Sequence, residues 1–117
     1  MGETEFKNKV EAWLTEHHYW FIKYWAGNRF TKKGVPDLLA CIDGRFCAME
    51  LKGDGGRPEI LQLVKLRKIR ESGGIAVLLY PEDFDYFKAF LKGSEIGDHW
   101  YRENKLKQKE WFKKLSH

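Results

Sequence analysis

The 117-residue chain is poor in cysteine and proline, with two of the first and three of the second. Two thiols cannot supply the several disulfides that hold small secreted domains together, so Cys41 and Cys47 are expected to be reduced core residues of a cytoplasmic protein. No second Cys or His pair stands at zinc-site spacing from them. No apolar run approaches the roughly 20 residues needed to span a bilayer, so no membrane association is expected. The first ten residues, MGETEFKNKV, lack the apolar middle of a signal peptide. Repeats, low-complexity tracts and linkers are all missing, and the length suits one domain over residues 1–117 with a single modest core. Neither a phosphate-binding P-loop nor a Ser-His-Asp constellation is visible. His17 and His18 are neighbours on a helical segment, diverge from one another, and make a poor metal pair.

What the chain does have is aromatic residues and positive charge. Phe, Trp and Tyr make up 15% of it, with five Trp, enough to fill a core, form a subunit interface or stack on bases. Lys and Arg outnumber Asp and Glu by 21 to 17, a net charge of +4. That surplus admits a polyanionic partner without requiring one.

Phe6, Val10, Trp13 and Leu14 recur at helical spacing and predict an amphipathic helix from Glu3 to about His18. The aromatic segment Tyr19 to Trp25 reads as a strand, and the basic loop AGNRFTKKG follows. Next come two apolar runs, LLACI and FCAM, separated by Asp43-Gly44, a strong hairpin signal. Pro58 and Glu59 suit the start of a helix that Ser72-Gly73-Gly74 closes. IAVLLY is another buried strand, ended by Pro81, and PEDFDYFKAFLKG predicts a helix. The segment around WYRENKLKQKEWFKKL gives a basic, aromatic C-terminal helix over about 98–115, outside a core of about 3–92. The order α-β-β-β-α-β-α-α implies an α/β fold, a mixed central sheet flanked by helices.

A two-residue turn at Asp43-Gly44 places Ile42 opposite Arg45 and Cys41 opposite Phe46. The pairing then continues to Leu38 with Met49 and to Asp37 with Glu50. The alternation puts Cys41 and Cys47 on opposite faces. It makes Asp37 and Glu50 a close pair on one face, their Cβ atoms about 4.5–5.5 Å apart. Lys52 projects from that same face. Two carboxylates so close repel, and a hard divalent cation such as Mg²⁺ or Mn²⁺, which takes oxygen ligands, removes the conflict. Lys52 suits orientation of a water or neutralisation of a phosphate, and the combination suits metal-assisted phosphodiester hydrolysis. The plain alternative is an ion-pair cluster in which Lys52 bridges both acids.

Gly34-Val35-Pro36-Asp37, the triplet Glu50-Leu51-Lys52 and Gln62 on the following helix resemble the PD-(D/E)xK nuclease superfamily. Within it, GVPDLL, the DGRF turn, MELKGDGG and the later LQ, LR and SGG are most similar to the VRR-NUC family in its short stand-alone phage and bacterial form. The similarity runs from about Glu3 to Tyr80. It implies a restriction-endonuclease-like core in which Asp37, Glu50 and the backbone carbonyl of Leu51 hold the metal. Lys52 would position the attacking water, with a 3′-hydroxyl leaving, and Gln62 would lie beside the site. Gln62 shares a helical line with Leu66 and Ile69, which turns it towards the sheet.

The family also brings an acid from its first helix towards the metal. Glu3, Glu5 and Glu11 are the candidates here, and Glu3 is favoured because it shares a face with Phe6 and Val10. The resemblance further implies a DNA endonuclease that cuts branched DNA such as four-way (Holliday) junctions, as a homodimer if cuts are paired. Arg29, Lys32 and Lys33 in the basic loop, and Arg57 after the GDGG turn, are candidate DNA contacts. GDGG would let a nucleic-acid backbone approach closely. A non-catalytic DNA-binding module on the same fold is the rival from another class.

Overall fold

The computed structural model describes residues 1–24 and 33–117. Helix α1 (Glu3–Glu16) leads to strands β1 (Trp20–Lys23), β2 (Leu38–Ile42) and β3 (Arg45–Leu51). Helix α2 (Ile60–Glu71), strand β4 (Ile75–Leu79), a 3₁₀ turn at Pro81–Asp83 and helices α3 (Phe84–Leu91) and α4 (Glu95–Leu115) complete the chain. The four strands lie in the order β1-β2-β3-β4. The first three pair antiparallel and β4 pairs parallel to β3, so the sheet is mixed, with α2 as the crossover. The α/β expectation holds at this level.

The hairpin register is the expected one, from Ile42 opposite Arg45 to Leu38 opposite Met49. Asp43 and Gly44 both take positive φ (51° and 80°), as a type I′ turn demands. Each sheet face has its own core. Phe6, Val10 and Leu14 of α1 and Phe84 and Phe87 of α3 pack with Leu38, Ile42, Cys47, Met49, Val77 and Leu79 on one side. Leu63 and Leu66 of α2 cover Ala48, Ala76 and Leu78 on the other, joined by Trp111 and Phe112 of α4. Cys47 is buried and Cys41 exposed.

Three boundaries differ from the sequence expectation. Helix α1 stops at Glu16, because His18 takes a left-handed φ of 59° to turn the chain into β1. Helix α2 starts at Ile60, with Glu59 as its N-cap and Pro58 outside. Helix α4 begins at Glu95, where the Ser94 hydroxyl accepts a hydrogen bond from Gly97 N at 3.0 Å. Gly97 is buried where the helix crosses the backbone of Phe90, an approach that leaves no room for a Cβ.

Helix α4 also closes the open edge of β4. Asn104 accepts from Leu78 N (3.1 Å) and donates to Leu78 O (2.8 Å), and Gln108 donates to Ala76 O (3.2 Å). A row of side chains thus stands in for a fifth strand, which satisfies backbone groups that an edge would leave bare. Trp100, from the same helix, donates to the buried Asp83 carboxylate at 3.0 Å. The C-terminal helix is therefore part of its own domain's packing. No helix among the described residues is long and apolar enough to cross a membrane.

Candidate active site

The hairpin's open end gathers the charges. Asp37 lies one residue beyond the β2–β3 ladder, so it is not a register partner of Glu50. Its carboxylate instead accepts the Leu51 backbone N–H through Oδ2 at 2.8 Å, standing where a strand carbonyl would have been. Gly34 sets up this approach. Its φ of 81° is left-handed, and a Cβ there would lie 2.7 Å from the Leu61 backbone, so the Gly34-Val35-Pro36 segment can press against the start of α2 only with glycine at that position.

Glu50 is the anomaly. It is 2% exposed in a sheet interior, and its Oε1 atom is buried with no hydrogen-bond partner among the described residues. Lys52 Nζ lies 3.4 Å from the other oxygen, Oε2, with only 11% of its own side chain exposed. Burial, and then the nearby charge of Asp37, push the Glu50 carboxyl up to about 8 against the pull of Lys52. The protonated form gains further because Asp37 can accept its hydrogen bond.

Asp37 has a cation partner that the sequence reasoning missed. Lys7, on α1, places Nζ 3.3 Å from Asp37 Oδ1 and 3.1 Å from Glu3 Oε2. Burial works to lower the Lys7 pKa, but the two carboxylates outweigh it and hold the ammonium above its usual range. The i, i+4 spacing of Glu3 and Lys7 is a readable signal for their pair. Its third member is brought in by tertiary folding. Gly53 packs against the first residues of α1, where a Cβ would meet Glu3 N at 2.5 Å, and Asp54 N bonds Met1 O at 3.1 Å. GDGG is thus closed at its start on α1, while Asp54 and Gly55 stay exposed. Tyr80 ties its end down by donating to Gly56 O at 2.6 Å.

The remaining candidates fall as follows. Glu3 reaches Asp37 only through Lys7, while Glu11 pairs with Lys23 and Glu5 is exposed. Gln62 is half-buried, and its side-chain oxygen accepts from Glu59 N at 2.9 Å, so it serves the start of its own helix. Among the described hydrogen bonds it makes none to Asp37, Glu50 or Lys52. Lys33 is exposed at a turn, and the Arg57 guanidinium lies 5.7 Å from the Trp111 ring on α4. Arg29 and Lys32 lie outside the described residues.

A divalent cation fits these groups. Glu3, Asp37 and Glu50 carry three negative charges when ionised, against two positive charges on Lys7 and Lys52, and one buried carboxylate oxygen has nothing to bind. Among the described residues no cluster of three or more His, Cys, Asp or Glu is arranged as a metal cage. The ligands would therefore be Asp37 and Glu50, with the Leu51 carbonyl as a backbone candidate. A donor set that sparse suits Mg²⁺ or Mn²⁺, ions that keep several waters and are commonly held by one or two carboxylates. Compared with protein-family models, with curated proteins and with solved structures, the chain finds no match.

Proposed function

We propose that the protein is a divalent-metal-dependent DNA endonuclease with a restriction-endonuclease-like core, hydrolysing phosphodiester bonds at the Asp37, Glu50 and Lys52 cluster. One observation carries the reading: a glutamate whose buried oxygen has no partner among the described residues, beside a second carboxylate and a largely buried lysine. Mg²⁺ or Mn²⁺ bound there would supply Lewis-acid activation of water and neutralise charge at the scissile phosphate. Asp37, fixed by the Leu51 N–H, presents Oδ1 at a defined angle. Glu50 would supply Oε1 on giving up the proton that burial and Asp37 hold on it. Lys52, held against Glu50 Oε2, keeps a cation within reach of a phosphate oxygen or of the attacking water. Lys33 is a candidate phosphate contact on the chain leading to Asp37. The resemblance to VRR-NUC nucleases supports branched DNA, four-way junctions among it, as the substrate and a homodimer as the cutting species.

Purified protein with Mg²⁺ or Mn²⁺ is to be offered labelled linear, flapped and four-way DNAs. Cutting that is lost in Asp37→Asn and Lys52→Ala, with DNA binding kept, is the expected result. Wild-type binding without cutting would leave a DNA-binding module. Neither binding nor cutting would leave the ion-pair cluster, the reading that the Lys7–Asp37 and Lys52–Glu50 pairs favour.

A further inference from the structure

Among the described residues, the sheet face that carries Asp37 and Glu50 continues away from them with large side chains exposed. Register places Trp20, Cys41 and Phe46 side by side across β1, β2 and β3, and Ile22 beside Leu39 one step nearer the acids. Side-chain alternation puts all five on the face shared with Ala48 and Glu50. Helix α2 lies above Ala48, Ala76 and Leu78 on the β3–β4 side of that face, and Leu39 of β2 packs at the margin of this cluster. Beyond it, towards the turn end of β3 and on β1, Phe46 is 50%, Trp20 67% and Ile22 42% exposed. These aromatics are too large and too exposed to be fillers of a core, and an apolar patch of this kind marks a binding surface.

Between this patch and α2 runs a groove of about 470 Å³, in the range of sites that take a ligand the size of a nucleotide. Val35 and Pro36, the residues before Asp37, line one end of it and Phe46 the other. Lys65 and Lys68 stand along its helix side and are its only charged lining residues among those described. The combination is specific: exposed aromatic faces on a sheet, a purely cationic rim, and one end at the candidate active site.

We propose that this face is a stacking platform for single-stranded DNA, with bases on Trp20 and Phe46 and the sugar-phosphate chain following Lys65 and Lys68 towards Asp37. Aromatic side chains on an open sheet stack on unpaired bases, while lysines neutralise the phosphates. A duplex hides its base faces and cannot use the two rings. Cα atoms of Trp20 and Phe46 are two strand spacings apart, about 10 Å, and Asp37 is four residues along the strand from Cys41, about 14 Å. Bases held on the rings therefore belong to the unpaired stretch next to the bond at the acids. The choice of DNA rests on the nuclease reading; the platform itself does not need cutting.

The test is fluorescence anisotropy of a labelled oligo-dT and of a duplex of equal length, in EDTA so that nothing is cut. Trp20→Ala and Phe46→Ala are each expected to weaken oligo-dT binding about fivefold or more, by loss of one stacked base, and to leave duplex binding unchanged. Trp20→Phe and Phe46→Tyr should retain most of it, and urea midpoints should show that the exposed substitutions leave the fold intact. Lys65→Gln with Lys68→Gln should flatten the salt dependence of oligo-dT binding. Wild-type protein that binds oligo-dT no better than duplex, or alanine variants that bind it as tightly as wild type, would overturn the platform. So would a sedimentation shift from dimer to monomer in Trp20→Ala with oligo-dT affinity unchanged, since a second copy would then cover the face. Because no step requires hydrolysis, a failed cleavage assay leaves this result standing, and the reverse also holds.

Discussion

Replacing Glu50 by Gln isolates the buried charge, because it keeps the side chain's shape and removes its ionisation. The carboxyl is displaced from an ordinary 4.5 to about 8. Below pH 4.5 it is protonated whether the chain is folded or not, and it adds no pH dependence. Between 4.5 and about 8 the folded chain holds a proton that the unfolded chain has released, so stability falls as pH rises, and above about 8 the loss is complete. At ~1.4 kcal/mol per pH unit, that span sets a ceiling of about 5 kcal/mol. Domains of this kind have ~5–15 kcal/mol in all, so even a fraction of that ceiling is easily measured. Relaxation and water entry around Oε1 reduce it, since interior charges behave as if in a medium more polar than dry protein.

Urea unfolding of wild type and Glu50→Gln in EDTA, across that pH window, reads the effect. Titrating groups remote from Glu50 contribute to both proteins and cancel in the difference. Wild type should lose stability relative to the variant as pH rises, by ~2 kcal/mol or more. Adding Mn²⁺ at about a hundred times its Kd should return ~2.7 kcal/mol to wild type and much less to the variant, because an ion that binds only the folded state stabilises by mass action. Parallel pH curves, within ~0.5 kcal/mol throughout, would mean that Oε1 is hydrated and that no charge is trapped there. A missing Mn²⁺ effect on wild type would remove the metal as well.

Three further perturbations probe the surroundings. Lys7→Met frees Asp37 Oδ1 of its ammonium, and titration calorimetry should show Mn²⁺ binding about fivefold more tightly, the equivalent of ~1 kcal/mol; unchanged affinity would show that Lys7 does not compete for the carboxylate. Gly53→Ala forces a Cβ to within 2.5 Å of Glu3 N, so ~1–3 kcal/mol should be lost in urea unfolding, with the Mn²⁺ affinity altered because α1 carries Lys7; a neutral result would mean that the loop and α1 separate freely. Asn104→Leu leaves the N–H and C=O of Leu78 unpaired on the β4 edge, and ~2–4 kcal/mol should disappear from the unfolding free energy unless water replaces the amide.

The hairpin was legible because two independent signals agree on it. Asp43-Gly44 fixes the turn, and apolar runs on both faces fix the depth, so pairing from Ile42 to Leu38 follows without tertiary information. The end of the ladder was not legible, since Asp37 leaves the register to bond Leu51 N, a choice made by the press of Gly34 on α2. Gln62 shows a local demand prevailing over a periodic pattern: its line with Leu66 and Ile69 points to the sheet, yet the bare N–H at the helix start claims its oxygen. Asn104 and Gln108 look like solvated polar positions of a basic helix, and only the unpaired edge of β4 gives them a reason to be buried. Lys7 was hidden in the same way, because its pair with Glu3 is local but its reach to Asp37 depends on GDGG folding back on α1.

Those hidden contacts bear on whether the acids are merely a structural knot. A buried ion-pair cluster kept for stability would be neutral and fully hydrogen-bonded, and apolar residues of similar volume would serve at least as well. This one is neutral at pH 7 only because Glu50 holds a proton: ionising that acid leaves Glu3, Asp37, Glu50, Lys7 and Lys52 with one negative charge over, and Glu50 Oε1 has no hydrogen-bond partner among the described residues. The chain nevertheless commits two sterically critical glycines, Gly34 and Gly53, to bringing the segment before Asp37 and the loop after Lys52 into place. Backbone geometry that constrained, around an acid whose ionisation lowers stability, is what the proposed cation site would require and what a structural cluster would not.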